Sequence, residues 1–249
     1  WMSASDPWQF LAWCLDWYAL QSDPDHLSHL PIHQDATQSG LQIYAMLLRD
    51  DAGATATNCT PSDAPKDLYQ IVADRVTARL AEEASQGSQE SLRWLEFGIT
   101  RHAVKRPVMT RVYNATRHSC RAYIEEWVTE QGRLGKVIPI IKGESTVWYL
   151  AERVWDATSE VLQSTARGQE WLTAVARVFA DHGLPIVWTT PLGMPCRQWY
   201  PDWESYTVKT SFGETYRQIS LRKDLDKVDS RRSVQAFAPN LIHSLDATA

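Results

Sequence analysis

Arg101, Lys105 and Tyr113 stand at fixed intervals in RHAVKRPVMTRVYNA, residues 101–115, with no acidic residue among them. At 100° per residue Lys105 falls about 40° from Arg101 and Tyr113 about 80° further on, so a helix would gather two cations and a phenol within an arc of roughly 120°. Arg offers phosphate oxygens a planar fork of donors, Lys offers a point charge, and Tyr brings a ring that can stack on a base or a hydroxyl that can reach a sugar. That is equipment for holding a triphosphate. Val104, Val108, Met109 and Val112 would pack elsewhere on the cylinder, and taken alone the stretch reads first as an amphipathic helix with a solvated basic face.

A second candidate is Asp35, where a short strand is expected to hand over to a helix beside the small residues Ala36, Thr37, Ser39 and Gly40. A carboxylate in that setting can hold a divalent metal and leave room for a bulky ligand. By itself, Asp35 or Ser39 is as simply explained as a helix cap. Phosphoryl transfer asks little of a protein beyond positioning and charge stabilisation around metal ions, so Asp35 would be the metal end of such a site.

The elements that must position these residues follow from periodicity and punctuation. A helix is expected over 6–20, with Asp6 and Pro7 at its start and an apolar face to bury. Further helices are expected over about 40–49, over KDLYQIVADRVTARLAEEAS with Leu68, Ile71, Val72, Val76 and Leu80 inward, over 89–97, and from 101 towards Gly132. DDAGATATNCTPSDAP reads as a loop, and residues 143–183 as one or two long helices closed by Gly183. Alternation around Pro-Leu-Gly in LPIVWTTPLGMPCRQWY suggests a β-hairpin, and YTVKTSFGETYRQISLR a second hairpin or ribbon. The class is α+β and mainly helical.

Composition bounds the rest. The chain of 249 residues is 44% hydrophobic and 22% charged, an ordinary globular balance apart from its 12 tryptophans. A net charge of −5 argues against a surface that binds nucleic acid all over, but leaves room for a local basic groove. The four cysteines lie far apart without C-x-x-C spacing, which suggests neither a zinc site nor a disulfide framework and fits a reducing compartment. The run WQFLAWCLDWYAL is too short to span a membrane, no signal peptide is visible, and both ends read as cut.

Taken in order, HQDATQSGLQ, RHAVKRPVMTRVYNA and FAPNLIHSLDA resemble successive motifs of the single-subunit DNA-dependent RNA polymerases of bacteriophages and mitochondria. DPWQFLAWCLDWYAL, AMLLRDDAGATATN, PSDAPKDLYQIVADRV and IVWTTPLGMP extend the resemblance over essentially the whole chain. It implies the palm and fingers of a right-hand polymerase: 1–60 as the palm part with the first metal motif, 61–183 as fingers and connections, and 184–249 as a promoter-reading hairpin near 186–210 with the return to the palm. The implied activity is nucleotidyl transfer from ribonucleoside triphosphates to the 3′ end of nascent RNA on a DNA template downstream of a promoter, with two Mg2+ ions and no membrane partner.

By the same resemblance Asp35 is the first metal-binding carboxylate and Gly40 the small residue where related DNA polymerases keep a glutamate that blocks a 2′-hydroxyl. Arg101 and Lys105 are the triphosphate cations, Lys105 also a proton donor to pyrophosphate. Tyr113 chooses ribose over deoxyribose, His243 contacts the new base pair, and Tyr69 lies near the nucleotide. Three departures stand out. Pro107 falls inside the expected helix, which is therefore kinked or begins there; Asn114 replaces a glycine, and tolerates a left-handed turn better than most residues; His118 stands where an aromatic is common. The family's second metal-binding aspartate sits in a His-Asp-Ser motif, and no His-Asp dipeptide occurs in the 249 residues. This stretch is therefore expected to be inactive without amino- and carboxy-terminal parts of the same polymerase. A related DNA polymerase is the first alternative, disfavoured by Gly40, and a nonenzymatic nucleic-acid-binding remnant the second, disfavoured by the intact set Asp35, Arg101, Lys105 and Tyr113. The expected location is a bacterial host's cytoplasm, as a viral product, with the mitochondrion as the alternative.

Overall fold

The computed structural model describes residues 1–31, 38–139, 146–213 and 215–248. The chain divides into two compact units, Trp1–Ala36 and Thr37–Ala249. The first holds α1 (Pro7–Ser22), with Asp6 as N-cap and Pro7 in the first turn, where a missing N–H costs nothing. Expected to bury one face, α1 buries no residue; Trp8 is 75% and Tyr18 73% exposed. Phe10, Trp13 and Trp17 share one side of the helix and stack on one another at 5.8 Å spacings, whereas Trp8 and Tyr18 project elsewhere on the cylinder. The strand expected to end near Asp35 lies outside the described residues.

The second unit is helical. It contains α2 (Ser39–Leu48), α3 (Asp51–Ala56), α4 (Leu68–Ser85), α5 (Gln89–Phe97), α6 (Arg101–Arg111), α7 (Arg117–Arg133), α8 (Thr146–Val161), α9 (Gln163–Asp181) and α10 (Ser230–Asp246). The stretch read as a loop after residue 50 holds α3, because the Asp50 side chain accepts from the Gly53 amide and caps a short helix. Helices α8 and α9 part at Leu162, and Gly183 closes α9 with φ +64°. Both expected strand pairs form as antiparallel hairpins: β1 (Ile186–Thr189) with β2 (Pro195–Gln198), and, where a second hairpin or ribbon was expected, β3 (Pro201–Phe212) with β4 (Thr215–Val228). Each turn has its own left-handed glycine, Gly193 and Gly213, so the chain reverses twice. Among the described residues no helix is long and apolar enough to cross a membrane.

The core lies where α4 meets α5, α6 and α8, around Val72, Val76, Leu80, Trp94, Val104, Val108, Leu150 and Val154. Of the inward positions expected on α4, Ile71 is 38% exposed and the other four are buried. Trp94, Phe97 and Trp127 meet edge to face, and the Trp94 indole donates to the Thr146 carbonyl at 3.2 Å. Beside them one carboxylate ties three helices: Glu83 Oε2 accepts from Ser91 Oγ and Tyr149 Oη at 2.8 Å and from Arg153 Nε at 3.2 Å. Burial alone would raise the Glu83 pKa, but these donors outweigh it and hold it below its ordinary range. Burial pushes the Cys120 thiol up to about 12.

Glu83→Gln should cost about 1–3 kcal/mol at neutral pH, read by urea denaturation, because hydrogen bonds to a charged acceptor are replaced by neutral ones. A depressed carboxylate stabilises the fold above its unfolded pKa and loses that contribution as pH falls. The deficit of the variant should therefore shrink below about pH 4.3. Cys120 should resist alkylation in the native protein at pH 8 and react on unfolding, whereas exposed Cys59 reacts at once; native labelling of Cys120 would contradict its burial.

Candidate functional site

Helix α6 begins after Thr100, whose backbone is extended, and runs unbroken through Pro107 to Arg111. Ala103, Val104, Pro107 and Val108 are buried; Arg101, His102, Lys105, Arg106 and Met109 are exposed. Arg101 and Lys105 therefore do share one helix face, as the angular spacing requires. Met109, expected to pack, is instead 45% exposed because it falls outside the 103/104/107/108 stripe. Tyr113 is not on the helix. It lies in the turn after Val112, and Asn114 takes the left-handed conformation, φ +61°, that its side chain tolerates. The helical ruler fails at that point. The amides of Tyr113 and Ala115 both donate back to the Thr110 carbonyl.

The turn delivers Tyr113 to α2 and α10. Its ring stacks on His243 with centroids 4.3 Å apart and planes 6° from parallel. A Cβ added at Gly40 would lie 2.8 Å from Tyr113 Oη and 3.2 Å from Cζ, so the missing side chain makes room for the phenol. Asn114 Nδ2 donates to the Gln235 carbonyl at 3.1 Å and ties the turn to α10. One turn before His243, Asn240 Nδ2 donates to Gln198 Oε1 at 2.9 Å and Tyr200 Oη at 3.0 Å, while Gln198 Nε2 donates to the Ser233 carbonyl. The root of the hairpins thus braces the helix that carries His243. Beyond Tyr113 opens a cavity of about 610 Å3, walled by Trp155 with Arg111 and Arg117 over its ring at 4.5 and 5.9 Å. His118 tilts against Trp148 with ring centroids 5.6 Å apart.

The cationic end is built differently. Arg101 Nε donates to Asp67 Oδ2 at 2.5 Å, and its guanidinium lies 4.9 Å from the centre of the buried Tyr69 ring. Asp67 also caps α4, accepting through Oδ1 from the Tyr69 and Gln70 amides at 3.0 and 3.2 Å. Slight burial would raise its pKa, but Arg101 and those amides hold it below the usual carboxylate range. Lys105, one turn along, has no ion pair among the described residues, whereas Arg106 is engaged by Glu126 and lies over Tyr123. The helical rise of 1.5 Å per residue sets Arg101 and Arg111 about 15 Å apart.

Two groups result: Arg101 with Tyr69 and, a turn on, Lys105; and Gly40 with Tyr113 and His243. Asp35 lies outside the described residues, and among those described no three His, Cys, Asp or Glu side chains are placed to hold a metal ion. Sequence reasoning missed Asp67, which fell inside the helix expected over KDLYQIVADRVTARLAEEAS but stands before it as its N-cap, and the Gln198–Asn240 brace, whose members are 42 residues apart.

A family model described as DNA-dependent RNA polymerase matches residues 1–249. The whole chain is 37% identical to part of the mitochondrial DNA-directed RNA polymerase of Mus musculus, 34% to that of Schizosaccharomyces pombe, and 33% to the chloroplastic/mitochondrial polymerase 2B of Nicotiana tabacum. It spans 20%, 22% and 24% of the length of these relatives, respectively.

Gly40 offers a direct check of the Tyr113 arrangement. In an unobstructed helix Gly→Ala stabilises by about 1 kcal/mol. Here the new methyl would collide with the phenol, and overpacking costs about 1–3 kcal/mol. Gly40→Ala should therefore be no more stable than the parent in chemical denaturation, and Gly40→Ala combined with Tyr113→Ala should recover part of the helical gain relative to Tyr113→Ala, the rest being lost to Val112 Cγ2, which would lie 3.2 Å from the new methyl. A full gain in the single variant would show that the phenol does not sit there.

Proposed function

Because the chain belongs to the DNA-dependent RNA polymerase family, we propose that it supplies the palm and fingers of an enzyme that adds ribonucleotides to the 3′ end of RNA on a DNA template. The single observation that carries this reading is the close approach of Gly40, Tyr113 and His243, at the far end of a helix that presents Lys105 with no counter-ion among the described residues. A ribonucleoside triphosphate laid along α6 has its phosphates at Arg101 and Lys105 and its sugar at Tyr113. With no side chain at Gly40, the 2′-hydroxyl meets no steric block, and Tyr113 Oη is within reach to hydrogen-bond it. His243 then faces the new base pair. The chain boundaries proposed are palm over 1–60, fingers over 61–183, and hairpins with the return to the palm over 184–249.

In the reaction, the RNA 3′-hydroxyl gives up its proton to solvent and its oxygen forms a bond to the α-phosphorus as the bond to pyrophosphate breaks. Arg101 orients the phosphates and Lys105 gives its proton to the departing oxygen. Magnesium, with Asp35 as the proposed ligand, would neutralise charge on the phosphates. The cavity beside Tyr113, with Trp155 and two guanidinium groups, suits a template nucleotide. The long hairpin is the proposed DNA-contacting element: near its root Lys223 pairs with Glu204 and Lys227 with Asp202, while towards its tip Lys209 and Arg217 have no ion pair among the described residues. The organellar names of the relatives favour a mitochondrial location over the bacterial cytoplasm expected from the sequence.

In template-directed extension by the complete polymerase, Asp35→Ala should abolish synthesis and Lys105→Ala should lower kcat by about a hundredfold. Tyr113→Phe should narrow the preference for ribonucleotides. Full activity of Lys105→Ala would remove its role as acid. Replacing Lys209 and Arg217 by Ala should weaken DNA binding and reduce the salt dependence of log K by about 2. An unchanged slope would take the hairpin tip off the DNA.

A further inference from the structure

Among the described residues, Arg101 is held by the N-cap and first turn of α4. Asp67 Oδ2 accepts from its Nε, and the Tyr69 ring lies beneath its guanidinium. The terminal nitrogens make no hydrogen bond among the described residues, so the outer edge of the fork is left for another acceptor. Asp67 is itself fixed by the two amides it caps. Both partners of this pair are more than 40% exposed, and such surface pairs contribute only about 0–1 kcal/mol to stability. A contact worth so little to the fold still costs a long side chain its freedom, which makes sense where the direction of that side chain matters.

We propose that Asp67 is a positioning residue for the triphosphate: it pins Arg101 by Nε on the Tyr69 ring so that the two terminal nitrogens face the phosphates. This rests on the reading that Arg101 and Lys105 bind a triphosphate. Asp67 acts by orientation, since it occupies the inner edge of the fork and leaves the outer edge open, rather than by competing with phosphate for the same nitrogens.

The test is calorimetric binding of a ribonucleoside triphosphate, and of inorganic tripolyphosphate, to the 249-residue chain. Asp67→Ser keeps a side chain that caps α4 but is too short to reach Arg101. It should weaken binding of both probes about tenfold, as Arg101→Gln does. Asp67→Asn, which keeps the cap and an acceptor oxygen without charge, should fall between, and carries the same comparison should the serine variant fold poorly. In an Arg101→Gln background Asp67→Ser should cost nothing further, whereas in a Lys105→Ala background it should cost its full factor; a general loss of structure would not show that pattern. Unchanged or tighter binding by Asp67→Ser, or an additive loss with Arg101→Gln, overturns the proposal while leaving the triphosphate reading intact if Lys105→Ala still weakens binding. No binding by the parent chain overturns both.

Discussion

Ala103, Val104, Pro107 and Val108 are buried where α6 packs against α4 and α7, and that stripe sets the rotation of the helix about its axis. Burying a valine-sized side chain is worth about 1.5–3 kcal/mol, so turning the helix by even one position would forfeit several kcal/mol. Arg101 and Lys105 point outward because the residues between them point inward. Pro107 belongs to the same stripe. Inside a helix it forfeits a backbone hydrogen bond, at about 3 kcal/mol in an open setting, and here the burial of its ring offsets part of that cost.

From this one packing constraint the two ends of the site acquire different supports. At the start of α6 the neighbour is the capped first turn of α4, which holds a guanidinium through one carboxylate and one aromatic ring. At its end the left-handed Asn114 swings Tyr113 off the helix and onto His243, above a glycine that leaves it space. The helix carrying His243 is braced in turn by Gln198 and Tyr200 through Asn240. A nucleotide held in this way would touch α4, α6, α2 and α10 together, so errors in any of those packings would be felt at the sugar or the phosphates.

What could be read in the sequence was what local physics controls. The apolar spacing of α4 and α6, the caps and the glycine-marked turns gave the helices and hairpins to within a few residues, and the order of the motifs gave the family. What could not be read depended on distant parts of the chain. The aromatic residues of α1 looked ready to be buried, and none is. A six-residue helix hid in a stretch of small polar residues because its stability comes from the Asp50 cap rather than from periodicity. Extending the 100° ruler to Tyr113 assumed a helix that in fact stops at Arg111, though Asn114 had marked the break. Asp67 was invisible as a partner for Arg101 because 34 residues separate them.

The claim on which everything else turns is that α6 holds a nucleotide lengthwise, phosphates at its start and sugar at its end. A crystal structure of this chain with a non-hydrolysable ribonucleoside triphosphate tests it most directly. The account predicts phosphate oxygens on Arg101 and Lys105 and the ribose against Tyr113 beside Gly40. Phosphates bound elsewhere, or a nucleotide lying in the opposite direction along α6, would contradict it.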